Sequence, residues 1–329
     1  MESKVKRRIR IIRRTVAFSL ILVVLLAGIS RGFNQIYLKH NKVGVGRDQS
    51  LIGIQSEKEN SIDVLVLGDS ESYTTVSPMI LWKECGTTSY VCGQSGQQIT
   101  ETYFALKQAL QTQKPKVLLL ETNVLFRNQG KLERCINVLE QAGMYYFSIF
   151  RYHNLWKQCL DQKGNEDPMY YKGFSIRENV KSYNGGSYMK HEKSKAKISK
   201  CVKSYVKQIQ ELCNENDIQL VMYSGPSPVN YNYKKHNALE EYTGEIGVPY
   251  LDFNIMTEEV PIDWKTDSAD KGDHLNISGA HKVSNYMADY LKTNYELPNH
   301  KEDEAYQEWN ELEEQYDNKT GSILSKIGK

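Results

Sequence analysis

Three uninterrupted apolar runs limit this chain more than any other feature: "IDVLVLG" (62–68), "PKVLLLE" (115–121) and "IQLVMYS" (218–224). A strand with one wet face alternates apolar and polar residues, whereas these runs do not, so they belong in a sheet covered on both sides. Two shorter runs, "SYVCG" (89–93) and "VPYLDF" (248–253), extend the set. Segments with helical spacing lie between them: "ETYFALKQALQTQ" (101–113), "KISKCVKSYVKQIQELCNEN" (197–216), "ALEEYTGEIG" (238–247) and "SGAHKVSNYMADYLKTN" (278–294), the last with Ser278 as its expected N-cap. Strand–helix alternation of this kind predicts an α/β domain of three layers around a central parallel sheet. In such sheets ligands bind at the carboxyl ends of the strands. The polar, Gly/Ser-rich segments "GDS", "CGQSGQ", "ETN" and "SGPSP" all fall there.

The amino terminus sets the compartment. "MESKVKRRIRIIRR" carries seven Lys/Arg against one Glu, and the sixteen residues Thr15–Ser30 that follow are uncharged. Extended by its flanks, this stretch approaches the ~20 residues a membrane span needs. The basic side is expected in the cytoplasm and the rest of the chain outside. The competing reading is a cleaved signal peptide, although "LLAGIS" offers no clear A-x-A site. The expected organisation is a basic tail (1–14), an anchor (15–33), a stalk (34–60), an α/β domain (61–298) interrupted by an insertion at about 126–195 near the active edge, and an acidic helical tail (299–329).

Removing the basic terminus leaves a mildly acidic remainder, which gives no reason to expect nucleic acid as a partner. Tyrosine outnumbers phenylalanine, 22 to 8, and rings in polar settings such as "MYYFSIFRYHNLW" suit sugar faces and ordinary amphipathic packing alike. The six cysteines (85, 92, 135, 159, 201, 213) lie in an oxidising compartment under this topology. Cys85 and Cys92 flank a turn and could pair. No cluster has zinc-ligand spacing, so no metal or other cofactor is expected.

Four blocks in order carry the chemistry. "GDS" (68–70) ends the first strand, "CGQSGQ" (92–97) the second and "LETN" (120–123) the third, and "DKGDHLNISGAHKVSNYM" (270–287) opens the last helix. Together they resemble the SGNH, or GDSL-like, hydrolases over roughly residues 60–295, the insertion excepted. The resemblance is closest to membrane-anchored bacterial members such as D-alanyl-lipoteichoic acid transfer proteins and cell-surface polysaccharide O-acetylation proteins. It implies a flavodoxin-like SGNH fold, Ser70 as nucleophile and His274 as base. It also implies an oxyanion hole from the Ser70 and Gly96 N–H groups and the Asn123 amide, with Gly93 and Ser95 beside the substrate. The third block departs from the family's G-x-N-D, with Glu121 for glycine and Val124 for aspartate. The family's usual Asp three residues before His is replaced here by Lys271, which leaves Asp270 and Asp273 as alternatives for orienting the base.

The residue types suit that chemistry. A serine hydroxyl attacks only when a neighbouring imidazole takes its proton, and His274 is the one of seven histidines set beside carboxylates before a final helix. A buried carboxylate fixes its tautomer and stabilises the imidazolium. Each residue also has a structural reading: Ser70 as a helix N-cap, Asn123 as a loop residue, His281 as a surface residue, Asp69 as a brace for the turn, and "SGPSPVNYNY" as a plain turn. The expected activity is acyl transfer through an acyl-serine, on envelope polysaccharide or teichoic acid, to water (an esterase) or to a hydroxyl (an O-acyltransferase). A membrane-bound acyltransferase is the implied partner. The alternative is a catalytically degraded module that binds polysaccharide or scaffolds a membrane complex.

Overall fold

The computed structural model describes residues 2–39, 49–127, 130–152 and 171–327. Five strands form one sheet: β1 (Val64–Leu67), β2 (Ser89–Val91), β3 (Val117–Glu121), β4 (Gln219–Ser224) and β5 (Tyr250–Asp252), in the order β2-β1-β3-β4-β5. Every pairing is parallel. The connection reverses direction between β1 and β3, and such a switch point opens a crevice at the carboxyl edge. Leu67 and Leu120 are in register there, so the residues that follow β1 and β3 emerge side by side.

Side chains alternate across the strands. Leu65, Leu67, Leu118, Leu120, Leu220 and Met222 enter one core cluster, together with Leu106 of α5 (Ile99–Ala109), Val206 of α8 (Lys200–Glu215) and Leu239 of α9 (Tyr233–Ile246). Val64, Val66, Val117, Leu119 and Val221 enter the other, against Leu81 of α4 (Pro78–Cys85) and Val283 and Met287 of α10 (Ile277–Asn294). Neither face of the strands meets water, which is why their sequences carry no polar alternation.

Several boundaries differ from the sequence reading. Helix α9 begins at Tyr233 because Asn232 caps it, its side chain accepting from the Lys235 N–H. The cap of α10 is Asn276, whose side chain accepts from the Ser278 and Gly279 N–H groups, so Ser278 lies inside the first turn. Within the polar lead-in, α2 (Gln49–Ser56) buries Leu51 and Ile54 in the core. At the other end, α11 (Gln307–Ile327) buries Trp309, Tyr316 and Ile323, a seven-residue spacing that keeps them on one face. The Trp309 ring centre lies 5.3 Å from that of Trp82, the two rings tilted by 36°, and the Trp82 indole N–H donates to Asn310 Oδ1 at 3.1 Å.

Cys85 and Cys92 are free thiols. Cys92 lies in the first core cluster and Cys85 packs against the second. Their S–H groups are directed to different carbonyls, of Ser50 and Ala288 respectively. Cys159 falls outside the described residues.

Helix α1 (Glu2–Lys39) carries a stretch, Lys4–Phe33, long and apolar enough to cross a membrane. With α6 (Lys131–Tyr146) and α7 (Ile149–Tyr152) it forms one compact unit, and the sheet with its helices forms another. The stretch read as one insertion therefore divides: its α6–α7 part belongs with α1, and residues 171–199 belong with the sheet.

Candidate active site

The nucleophile turn is built on close approach. A Cβ on Gly68 would lie 2.5 Å from the Cβ of Glu121, so only glycine lets the chain leave β1 beside β3. Asp69 then caps α3 (Ser70–Thr75), its Oδ1 accepting the Glu71 N–H at 3.0 Å. Because Asp69 is the cap, Ser70 is the first helical residue and its hydroxyl is not spent on the backbone. Ser70 Oγ lies 2.8 Å from His274 Nε2.

The base arrives on a turn of unusual backbone. Lys271 and Gly272 have φ of 68° and 90°, a left-handed pair that curls the chain back on itself. Asp270 consequently reaches His274 twice: Oδ1 accepts the His274 backbone N–H at 2.7 Å, and Oδ2 lies 2.7 Å from Nδ1. This grip assigns the ring proton to Nδ1 and leaves the Nε2 lone pair facing Ser70. Asp273 stands farther off, 3.7 Å from Nδ1, because its Oδ1 accepts from Asn230 Nδ2 at 2.6 Å. Of the two carboxylates that the sequence left open, the structure brings Asp270 to the imidazole.

Asn123 follows β3 in a short 3-10 turn, Thr122–Leu125, with its N–H donating to Glu121 Oε1 at 2.8 Å. Its amide is clamped at both ends. Nδ2 donates to Asp69 Oδ2 at 2.9 Å, and Oδ1 accepts from Lys235 Nζ at 3.2 Å. An amide nitrogen has two hydrogens, so one remains for a ligand. Gly96 has φ of 62°, with open space around its Cβ position. Ser95 beside it is exposed, and the Tyr73 hydroxyl hydrogen-bonds with Ser95 and Arg177. Gly93 is placed differently from the others. It is buried, and a Cβ there would meet Ser72 Oγ at 2.1 Å and the Asp69 carbonyl at 2.9 Å. Its role here is to let the second block pass behind the nucleophile turn.

Behind Ser70 lies a buried acidic group. Asp69 Oδ2 accepts from Arg127 Nε at 2.9 Å and also from its Nη2. Burial pushes the Glu71 carboxyl well above the usual carboxylate range, and the neighbouring Asp69 charge adds to the shift. Burial acts in the same way on Glu121, reinforced by Asp69 and Glu71. Burial lowers the Lys235 ammonium. Asn230, from the "SGPSPVNYNY" segment, donates to Glu71 Oε1 at 2.8 Å as well as to Asp273, and Ser227 Oγ donates to the Asp273 carbonyl at 2.8 Å. That segment therefore does more than turn: it ties the base loop to the nucleophile helix. Glu71, Asp273 and His274 bring ligand atoms within 4.8 Å of one another, but the Asn230 amide already bridges the two carboxylates.

Glu71, Arg127, Asn230 and Lys235 were not singled out from sequence. Their partners are remote, with Arg127 58 residues from Asp69 and Asn230 159 from Glu71. His281 is not a surface residue: it stacks on Tyr316, and burial lowers its pKa to about 4.

No protein-family model matches the chain, and no curated protein matches it. Among solved structures it is similar to a "putative acylhydrolase" from Bacteroides fragilis NCTC 9343, with 12% identity and a TM-score of 0.38 over 79% of this chain and 95% of that one. It is also similar to a GDSL-like lipase from Bacteroides thetaiotaomicron VPI-5482, with 12% identity and a TM-score of 0.36 over 71% of this chain and 89% of that one.

Proposed function

We propose that this chain is a membrane-anchored, extracytoplasmic SGNH-type serine esterase or O-acyltransferase that works through an acyl-serine. The observation that carries the reading is the Ser70–His274–Asp270 relay, with links of 2.8 and 2.7 Å, at the β1/β3 edge. Three residues from two distant segments meet in the order that general-base activation of a hydroxyl requires.

In the first half-reaction Ser70 Oγ attacks an ester carbonyl while His274 Nε2 takes its proton. Asp270 holds the resulting imidazolium through Nδ1–H. The oxyanion is received by the Ser70 and Gly96 N–H groups and by the second hydrogen of Asn123 Nδ2. Arg127 and Lys235 set that donor indirectly: one neutralises Asp69, and the other fixes the amide oxygen. As the tetrahedral intermediate collapses, the Nε2 proton passes to the leaving alkoxide and Ser70 keeps the acyl group. In the second half-reaction water or an acceptor hydroxyl gives its proton to His274 and attacks the acyl-serine, which frees Ser70. Ser95, Tyr73 and Arg177 line the approach.

An apolar helix at the amino terminus supports anchoring, with the sheet unit outside and the membrane beside its substrate. That setting favours envelope polysaccharide or teichoic acid, with acyl groups supplied by a membrane-bound acyltransferase. The direct test is labelling with a fluorophosphonate probe. Wild type is expected to react and Ser70→Ala not to react. Absence of labelling in folded wild type would instead favour a module that binds polysaccharide or scaffolds a complex. Acceptor dependence of acyl release then separates transferase from esterase.

A further inference from the structure

Helix α6 leaves an apolar stripe open. Leu132, Ile136 and Leu139 are 75%, 54% and 74% exposed, and Gly143 and Tyr146 continue the same 4-3-4-3 spacing. At 100° per residue these positions fall within a narrow sector, while Glu133, Arg134, Asn137, Glu140 and Gln141 fall on the other side. The half-buried positions of α6 (Arg134, Asn137, Val138, Gln141, Ala142, Met144 and Tyr145) lie away from Leu132, Ile136 and Leu139, and of the stripe only Gly143 shares their burial. The stripe is therefore not the surface by which α6 packs on its own unit.

The place where this helix is tied down indicates what the stripe meets. Between α6 and α7, Ser148 Oγ donates to the Ser30 carbonyl at 3.2 Å, and the Ile149 N–H donates to Ser30 Oγ at 3.3 Å. Ser30 is 6% exposed although Leu25 and Ile29 on the same helix are 56% and 48% exposed. It lies in the last turn of the apolar stretch of α1, directly before Arg31. The residues at this corner, "MYYFSIFR" (144–151), include Tyr145 and Tyr146, and tyrosine is a side chain that collects where a bilayer meets water.

We infer that α6 lies in the membrane–water interface at the non-cytoplasmic end of α1, with Leu132, Ile136 and Leu139 in lipid. A helix with an apolar sector, a charged sector and no long apolar run lies on a membrane rather than across it, its apolar face sunk roughly 5–10 Å below the surface. The tyrosines of the corner are then interfacial anchors rather than sugar platforms. The inference rests on α1 crossing the membrane, and it is independent of the chemistry assigned to Ser70.

The test uses the full chain in phosphatidylcholine–phosphatidylglycerol vesicles whose acyl chains carry bromine, a short-range tryptophan quencher, either near the headgroup or near the chain end. Variants Leu132→Trp, Leu139→Trp, Gln141→Trp and Val24→Trp are compared after subtraction of the wild-type emission. Leu132→Trp and Leu139→Trp are expected to lose emission, more with shallow bromine than with deep. Val24→Trp, within α1, is expected to show the reverse order, and Gln141→Trp is expected to change little. Quenching at 24 without quenching at 132 and 139 would overturn the inference while leaving the anchor intact, and would assign the stripe to a second chain or another protein. No quenching at 24 would remove the anchor and the inference together.

Discussion

Two His–Asp pairs in this molecule have nearly the same geometry and differ in what the far ring nitrogen meets. His274 Nδ1 lies 2.7 Å from Asp270, and His236 Nδ1 lies 2.8 Å from Asp252. The second pair is closed: Asp252 also accepts the Tyr231 hydroxyl at 2.6 Å, and a chain of hydroxyls continues through Tyr250 and Ser224 to Thr122. Its other ring nitrogen faces Glu240 at 3.7 Å. The first pair is open, its Nε2 directed at a serine at the sheet's switch point. A histidine oriented by a carboxylate is a structural unit that proteins use freely. It becomes a reactive unit only when its far nitrogen meets a nucleophile where substrate can enter.

The comparison breaks most sharply at the nucleophile. Ser70→Ala and His274→Ala are expected to lower ester turnover by about a millionfold, the scale seen when a triad loses its serine or its histidine, whereas His236→Gln should leave fluorophosphonate labelling intact. Asp270 comes next: Asp270→Ala is expected to cost up to about ten-thousandfold in kcat, the scale seen when a triad imidazole loses its tautomer control. Asp273→Ala should change kcat only slightly, and a reversed order would exchange their roles. Asn123→Ala is expected to cost about a hundredfold to a thousandfold in kcat, the usual loss for one oxyanion donor.

The smallest effect concerns stability. The hydrogen bond to Asp252 raises the His236 pKa above its ordinary value of 6.5, against the opposing effect of burial. A raised pKa means that the folded state binds the proton more tightly, so this contribution is complete below the unfolded pKa and fades as pH rises through the folded one. Thermal melts of wild type are therefore expected to decline across the pH range just above 6.5, and His236→Gln should flatten that slope. An unchanged slope would remove the pair from the pH response.

Much of the fold was legible because it follows from local pattern. The runs 62–68, 115–121 and 218–224 became β1, β3 and β4 with only end trimming, since strands buried on both faces announce themselves in one dimension. Ser70, Gly96 and Asn123 were legible as residue types just after strands, and His274 as one set just before the helix Ile277–Asn294. The choice between Asp270 and Asp273 was not, because it depends on the left-handed backbone at Lys271 and Gly272 and on Asn230, 43 residues away from Asp273. Gly93 illustrates the same limit: its type suited a substrate wall, but the requirement it meets is backbone clearance behind Ser72. Short helices were also hidden, as in α2, where Leu51 and Ile54 are too few to stand out from a polar lead-in.

The Trp82–Trp309 contact has a consequence for how the chain is made. Its partners are 227 positions apart, and α11 covers part of the first core cluster. While the chain is still growing, the sheet and its earlier helices can assemble, but Trp82 keeps a bare flank until α11 has been made. Contacts of such long separation form late, and exposed apolar surface invites association during the wait. Nascent chains stalled short of Trp309 should therefore associate with chaperones or proteases, and the docking of α11 is the event that commits the sheet unit to its final packing.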